Sequence, residues 1–257
     1  MRPVVRNLVG LVAFLGIWEL AARSGLVPQR DVPPASVVLT RTVELLGQQD
    51  FVRDVIASVL AWAIALCAAT AIAVPAGLVL GSLPAVRVAT RAIVEFLRPI
   101  PSVALIPLVI LVIGGGPESK IALAIYAAIW PILYNTIYAF DEIDPLLIDT
   151  ARSCGAGRPA VLATVALPHA APFVFTGIRM SAAVALIVVV STEFIAGASS
   201  GIGKFILESA SGGGRMDLVL AGTVVAGVFG YLVNDGLERL GNRLFRWHTA
   251  TTAQETA

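Results

Sequence analysis

The chain has 257 residues, of which 57% are apolar and only 14% charged, against about 25% charged in a typical soluble domain. That composition argues against a large soluble helical enzyme, and a net charge of +1 gives no basis for a nucleic-acid partner. Two cysteines, Cys67 and Cys154, make no disulfide framework.

Arg2 and Arg6 precede an apolar run from Leu8 to Ile17. The pattern has the look of a signal peptide, but no small-x-small cleavage site follows and Glu19 interrupts its end. The expectation is therefore a first, short span over about 4–22. Residues 23–54 form a polar connection with a short amphipathic helix around 37–46. The second span is the clearest, because no charge occurs from Val55 to Val86, well over the roughly 20 residues a span needs. Gly77 and Gly81 form a GxxxG pattern within it, either a close-packing face or simply the usual abundance of glycine in membrane helices. A third span is expected over about 91–113 and a fourth over about 121–140.

Asp144 to Pro168 follows, and it does not read as a span. Asp144 can cap a helix and Pro145 suits its first turn. Leu146, Leu147, Ile148 and Ala151 are its apolar contacts. Gly155 can take the left-handed conformation that ends a helix. Pro159 can open a second short helix, with Val161, Leu162 and Val165 on one face, and Pro168 is expected to stop it. Residues 159–178 carry no charge, yet Pro159, Pro168 and Pro172 argue against one continuous helix there. A fifth span is expected over about 173–196 and a sixth over about 217–237, separated by the polar stretch 197–216. The end of the chain, TATTAQETA and the residues before it, reads as a disordered tail.

Six spans place both termini on one side, and lysine and arginine decide which. Eleven basic residues fall with the termini and the elbow, and seven fall on the other side. The bias puts the termini and the elbow in the cytoplasm.

The chemistry of an active site is missing. GIGKF at 201–205 is not a phosphate loop, because Ala198 stands where the first glycine belongs and Phe205 follows Lys204 in place of Ser or Thr. His169 and His248 are far apart and join no cysteine cluster, so no metal site and no catalytic set is expected. His169 reads as a polar hinge residue. Polar groups inside spans are the remaining signals. Glu193 either lines a pathway near an outer gate or bonds to neighbouring backbone or a base such as Lys204. Glu95 and Arg98 are three residues apart and are expected to share a helix face and pair. Arg98, Pro99, Ile100 and Pro101 bend the start of the third span. Either Arg98 and backbone groups freed by Pro99 and Pro101 line an inner vestibule suited to anions, or the segment is a structural kink with a snorkelling arginine. Tyr134 and Asn135, one turn after Pro131, either line the same path or bond between helices.

The elbow resembles the EAA loop of permease subunits in ABC-type importers. The pattern runs acidic–small–Ala, three residues, Gly, then about ten residues to a hydrophobic–Pro end. Here it reads Asp149-Thr150-Ala151, then Gly155-Ala156, then Leu167-Pro168. Asp replaces the usual Glu, and Thr the first Ala. WEL at 18–20, PPASVV at 33–38, RPIPSVALIPL at 98–108, ARSCGA at 151–156 and STEFIA at 191–196 extend the resemblance to the branch that imports sulfonates, taurine, nitrate and similar small anions.

The resemblance implies an all-α membrane protein with the six-helix type I importer permease fold and cytoplasmic coupling helices. With the hydropathy reading, the chain is expected to divide into a first span over 1–22, an outer connection over 23–54, a core permease region over 55–247 with its coupling loop at 141–168, and a tail over 248–257. The resemblance also implies a bacterial inner-membrane location, an alkanesulfonate, taurine, nitrate or bicarbonate cargo, and a second permease copy. A cytoplasmic ATPase dimer would hold the ATP and magnesium, leaving no cofactor in this chain, and an extracytoplasmic binding protein would deliver the cargo. The alternative is an ion-gradient-driven secondary transporter or channel, to which such an elbow is of no use.

Overall fold

The computed structural model describes residues 3–25 and 27–245, so the expected tail at 248–257 lies outside the described residues, as do Arg2, Arg246 and His248. Every regular element among them is helical: α1 (Pro3–Arg23), α2 (Ala35–Leu46), α3 (Gln49–Ser82), α4 (Pro84–Leu97), α5 (Ile106–Ile113), α6 (Pro117–Asp141), α7 (Pro145–Ser153), α8 (Arg158–Val161), α9 (Leu167–Ala196), α10 (Ile202–Ser211) and α11 (Met216–Leu244). A 3-10 turn at Ser102–Leu105 leads into α5, and a π-helical turn at Leu162–Ala166 joins α8 to α9. Among the described residues, five helical runs are long and apolar enough to cross a bilayer: Val5–Arg23, Gln49–Ser82, Pro117–Asp141, Arg158–Ala196 and Met216–Leu244. The expected third span corresponds to a bent pair, α4 and Ser102–Ile113 meeting at 74°, so the described residues hold five such runs, or six where the pair counts as one.

Two details differ from what the sequence suggests. The charge-free run Val55–Val86 that marks the second span outlasts its helix, which ends at Ser82. Leu83 precedes Pro84, which disfavours helical backbone, and it sits at φ −120° and ψ 88°. The chain breaks there, and α4 begins seven residues before the expected start of the third span. Nor do the prolines interrupt 159–178, where Arg158–Ala196 is one helical run. Pro159 lies in the first turn of α8, where its missing donor costs nothing. Ahead of Pro168 the ladder widens, and the Leu167 N–H reaches back five residues to the Leu162 carbonyl. An α-helical Pro168 ring would clash with the carbonyl four residues earlier, and the wider turn relieves that clash.

The chain divides into two compact units, Met1–Val59 with Glu193–Phe229, and Leu60–Thr192 with Gly230–Ala257. In the first, Val38, Leu45, Phe51, Ala221 and Val225 form a buried cluster, with Trp18 and Phe205 packed against it. The Trp18 indole donates to the Pro33 carbonyl at 3.1 Å, fixing the turn before α2.

The second unit is organised by small residues. Ala61, Ala65, Ala69 and Ala73 are buried at every fourth position of α3, and Gly77 and Gly81 continue the row. A Cβ at Gly77 would stand 2.6 Å from Thr136 Cβ, and one at Gly81 2.5 Å from the Phe140 ring. The GxxxG pattern is therefore a packing face, where α3 and α6 approach backbone to side chain. α9 meets the same helix from another direction. Gly177 faces Ile132 Cα and the Pro131 carbonyl, where a Cβ would lie 2.9 Å from each. Ser181 donates to the Ala128 carbonyl at 2.6 Å, and the Trp62 indole to the Ala182 carbonyl at 2.8 Å.

Replacing Gly177 with Ala gains up to ~1 kcal/mol of helix propensity but forces backbone apart, at ~1–3 kcal/mol. The Gly177→Ala subunit should melt several degrees lower in detergent, while Gly227→Ala, with nothing within 4 Å of its Cβ, should melt unchanged or higher. Equal melting of both would show that the α6–α9 contact is not tight.

Candidate functional site

The elbow is built from its own caps. The Asp144 side chain accepts the Leu146 N–H at 2.9 Å, and Pro145 occupies the first turn of α7. At the other end Gly155 takes φ +86°. The Gly155 N–H reaches the Arg152 carbonyl at 2.9 Å, and the Ala156 N–H the Ala151 carbonyl at 3.0 Å. This paired closure is a Schellman motif, which needs a residue without strain at positive φ. α7 buries no residue. Of its expected apolar contacts, Ile148 and Ala151 are half-buried, but Leu146 and Leu147 stand 68% and 51% exposed. Asp149, Thr150, Leu167 and Pro168 are exposed, Ala156 is half-buried, and Asp149 lies 3.8 Å from Arg152. Val161 is buried, whereas Leu162 is exposed. The elbow is thus rigidly formed and apolar on faces that nothing within the unit covers.

A groove of about 410 Å³ lies between α4 and α6, lined among others by Arg87, Arg91, Glu95, Tyr134, Tyr138 and Asp141. Arg87, Arg91 and Glu95 are four apart and share one face of α4. Glu95 accepts from Arg91 at 2.7 Å, so the expected Glu95–Arg98 pair gives way to a partner one full turn away. Arg98 instead lies over the Tyr134 ring, 4.1 Å from its centroid. Pro99 and Pro101 sit at the 74° break. Pro101 cannot supply the usual fourth-residue donor to the Leu97 carbonyl, which takes the Ile100 N–H at 3.3 Å and the Tyr126 hydroxyl at 2.6 Å instead. Asn135 spends its amide on the Pro131 carbonyl at 2.8 Å and touches the Met180 sulfur at 3.8 Å. Arg98, Pro99, Pro101 and Tyr134 are thereby brought together, while Asn135 turns toward α9.

Glu193 belongs to another cluster. It is fully buried, with the Ser58 hydroxyl 2.9 and 2.8 Å from its two oxygens. The Gly203 N–H donates to it at 3.1 Å, the Ile202 N–H to Ser58 Oγ at 2.9 Å, and the Gly201 N–H to Asp54 at 2.9 Å. Two carboxylates and a hydroxyl therefore hold the first amides of α10, where the helix dipole favours negative charge. In the GIGKF segment, the amides that a phosphate would need already have protein acceptors. Lys204 lies 3.9 Å from Asp54 and 3.5 Å from Glu208. His169 stacks on Phe173 with ring centroids 5.5 Å apart.

Several of these residues escape sequence reasoning. Ser58 lies in an uncharged apolar run, and its partner Glu193 is 135 positions away. Asp141 closes α6 and binds Arg87 across 54 positions, with oxygen–nitrogen distances of 2.6 and 2.7 Å. Asp54 alone carried a signal, as the last charge before the second span.

Residues 73–244, which include the elbow and the groove, match the family described as binding-protein-dependent transport system inner membrane component. The chain belongs to that family. It is 33% identical to the taurine transport system permease protein TauC of Escherichia coli, over 96% of this chain and 91% of that protein. It is 27% identical to the bicarbonate transport system permease protein CmpB of Synechococcus elongatus, over 95% and 89% of the two chains. Its fold is like that in the inward-facing MetNI methionine ABC transporter, with TM-score 0.63 and 21% identity over 75% of this chain and 94% of that one. The all-α multi-pass architecture is that of an ABC importer permease. Membership implies a separate ATPase and a substrate-binding protein as partners.

Gly201 has φ +135°, and a Cβ there would run into the Glu193 carboxylate. Gly201→Ala should therefore unseat the start of α10, lowering the melting temperature and speeding amide exchange at Ile202 and Gly203. Unchanged exchange at those two amides would show that the carboxylate does not hold the helix.

Proposed function

We propose that this chain carries a small solute with an anionic head, an alkanesulfonate, taurine, nitrate or bicarbonate, through the bacterial inner membrane. The relatives of known cargo support this class. Two copies form the pathway. A binding protein delivers the cargo outside, and the elbow over 144–168 docks in a groove of a cytoplasmic ATPase. ATP and magnesium sit on that partner. This subunit hydrolyses no ATP, and both its termini face the cytoplasm.

One observation carries the coupling role: a Schellman-closed elbow that leaves Leu146, Leu147, Leu162 and Leu167 uncovered. Exposed leucines on a rigid, charged elbow are wasted in water and useful against a partner. Asp149 offers a carboxylate to a basic residue beside them.

Gly155→Val tests this. No atom lies within 4 Å of a Cβ at Gly155, so the cost is the conformational strain alone, ~1–2 kcal/mol. That strain should leave insertion and dimerisation intact and misdirect the elbow. Co-purification of the ATPase and solute uptake should both fall, as they should for Asp149→Arg. A Gly155→Val protein that binds its ATPase and transports normally overturns the reading.

Orientation has its own test, because Cys154 is an exposed free thiol on the elbow. In a Cys67→Ser background, an impermeant thiol reagent should label Cys154 in inside-out vesicles lacking the ATPase, and leave it unlabelled in right-side-out vesicles. Labelling from the outer side reverses the topology.

A further inference from the structure

The ion pair between Arg87 and Asp141 is placed against the electrostatics of its own helices. Arg87 stands in the first turn of α4, where the helix dipole favours an anion. Asp141 is the last residue of α6, where the dipole favours a cation. The arginine and the carboxylate are 42% and 48% exposed, so the bridge is solvated and contributes little to stability. Its geometry is nevertheless the most constrained of any pair on α4, a two-pronged contact with both distances below 2.8 Å. A fork of this kind fixes the orientation of the two groups as well as their distance.

Its position gives that constraint a use. Asp141 lies three residues before Asp144, the cap of the elbow. α4 fully buries none of its residues and faces the unit with a half-buried stripe of Arg87, Thr90, Val94 and Leu97, so its directional polar ties to α6 are those at its ends. At its far end the Leu97 carbonyl takes the Tyr126 hydroxyl and Arg98 lies on Tyr134, both from α6. At its near end Arg87 takes Asp141. α4 is thus tied to α6 at both ends, and the near tie adjoins the elbow.

We propose that Arg87 and Asp141 are positioning residues of the transport cycle, a strut that makes α4 follow the elbow when the ATPase moves it. The proposal rests on the elbow being the ATPase-coupling segment. Without the strut, the elbow and α6 would move while the start of α4 stayed behind, and the break at Pro99–Pro101 would take up the difference.

The test uses the assembled permease–ATPase complex in nanodiscs, with Cys67→Ser and Cys154→Ser. A single reporter, Val88→Cys, sits on the exposed outer face of α4. ATP with vanadate should change its thiol-labelling rate severalfold in the parent. In Arg87→Ala that change should vanish, with ATPase content and melting temperature as in the parent. The swap Arg87→Asp with Asp141→Arg restores the pair and puts each charge at the helix end that favours it. It should melt at or above the parent and regain the labelling change. Arg87→Lys keeps the charge but loses the fork, and should regain it only in part. A labelling change that survives Arg87→Ala overturns the strut, as does a swapped pair that melts like the parent and does not respond. A parent complex that holds no ATPase would sink the coupling role of the elbow itself, a separate failure read from ATPase content alone.

Discussion

A peptide group left without a hydrogen-bond partner inside a bilayer costs more than almost any side-chain contact returns, and this fold depends on how that constraint is met wherever a helix stops. Each departure from regular helix has its own repair. At the Arg98–Pro101 break a tyrosine hydroxyl from α6 joins the Ile100 N–H on the Leu97 carbonyl. At Pro168 the chain widens one turn and keeps a backbone donor for the Leu162 carbonyl. At Gly201 two buried carboxylates and a serine take three successive amides. The repairs come from side chains distant in sequence or from the backbone itself, and each fixes a direction as well as an energy. A broken span can therefore be as well determined as a straight one.

Between those points the second unit is held by approach rather than by bulk. Lipid tails are as apolar as leucine, so burying leucine gains little inside the membrane, and close contact over small residues gains more. The alanine and glycine row of α3 against Thr136 and Phe140, and Gly177 against the backbone of α6, put this into practice. α6 receives both contacts and ends beside the elbow. Ile106, Leu123 and Ile132 fill the interior beside these contacts, while many other large apolar side chains lie at the periphery, Leu111, Val112 and Val88 among the most exposed.

Five of the spans were legible in the chain because charge is scarce and its gaps are long. The elbow was legible because an Asp-Pro start and a glycine end have few other uses, and both caps form as their residue types require. The groove was only partly legible. Arg98 and its prolines stood out, but Arg91 took Glu95 by being one turn away in the better register, and no local pattern links Arg87 to Asp141. The continuity of Arg158–Ala196 was hidden for a physical reason: proline counts measure lost donors, and a π-helical turn changes which carbonyl needs one. Glu193 was visible as a costly residue, but its partners Ser58 and Asp54 are brought to it only by the packing of α3, α9 and α10.

The elbow and α10 solve the same end problem in opposite ways, and the contrast bears on what each can do. α10 starts on buried acids from two other helices, so moving it means exposing or stranding charge. α7 starts on its own Asp144 and ends on its own Gly155, and it buries none of its residues. Its internal shape therefore does not depend on where it sits. It can be pushed as a body, and the push passes into whatever is attached at its ends. On the N-terminal side that is Ile143, which is buried, and then α6. A segment that is stiff within, weakly seated and joined to the best-packed helix of its unit transmits displacement instead of absorbing it.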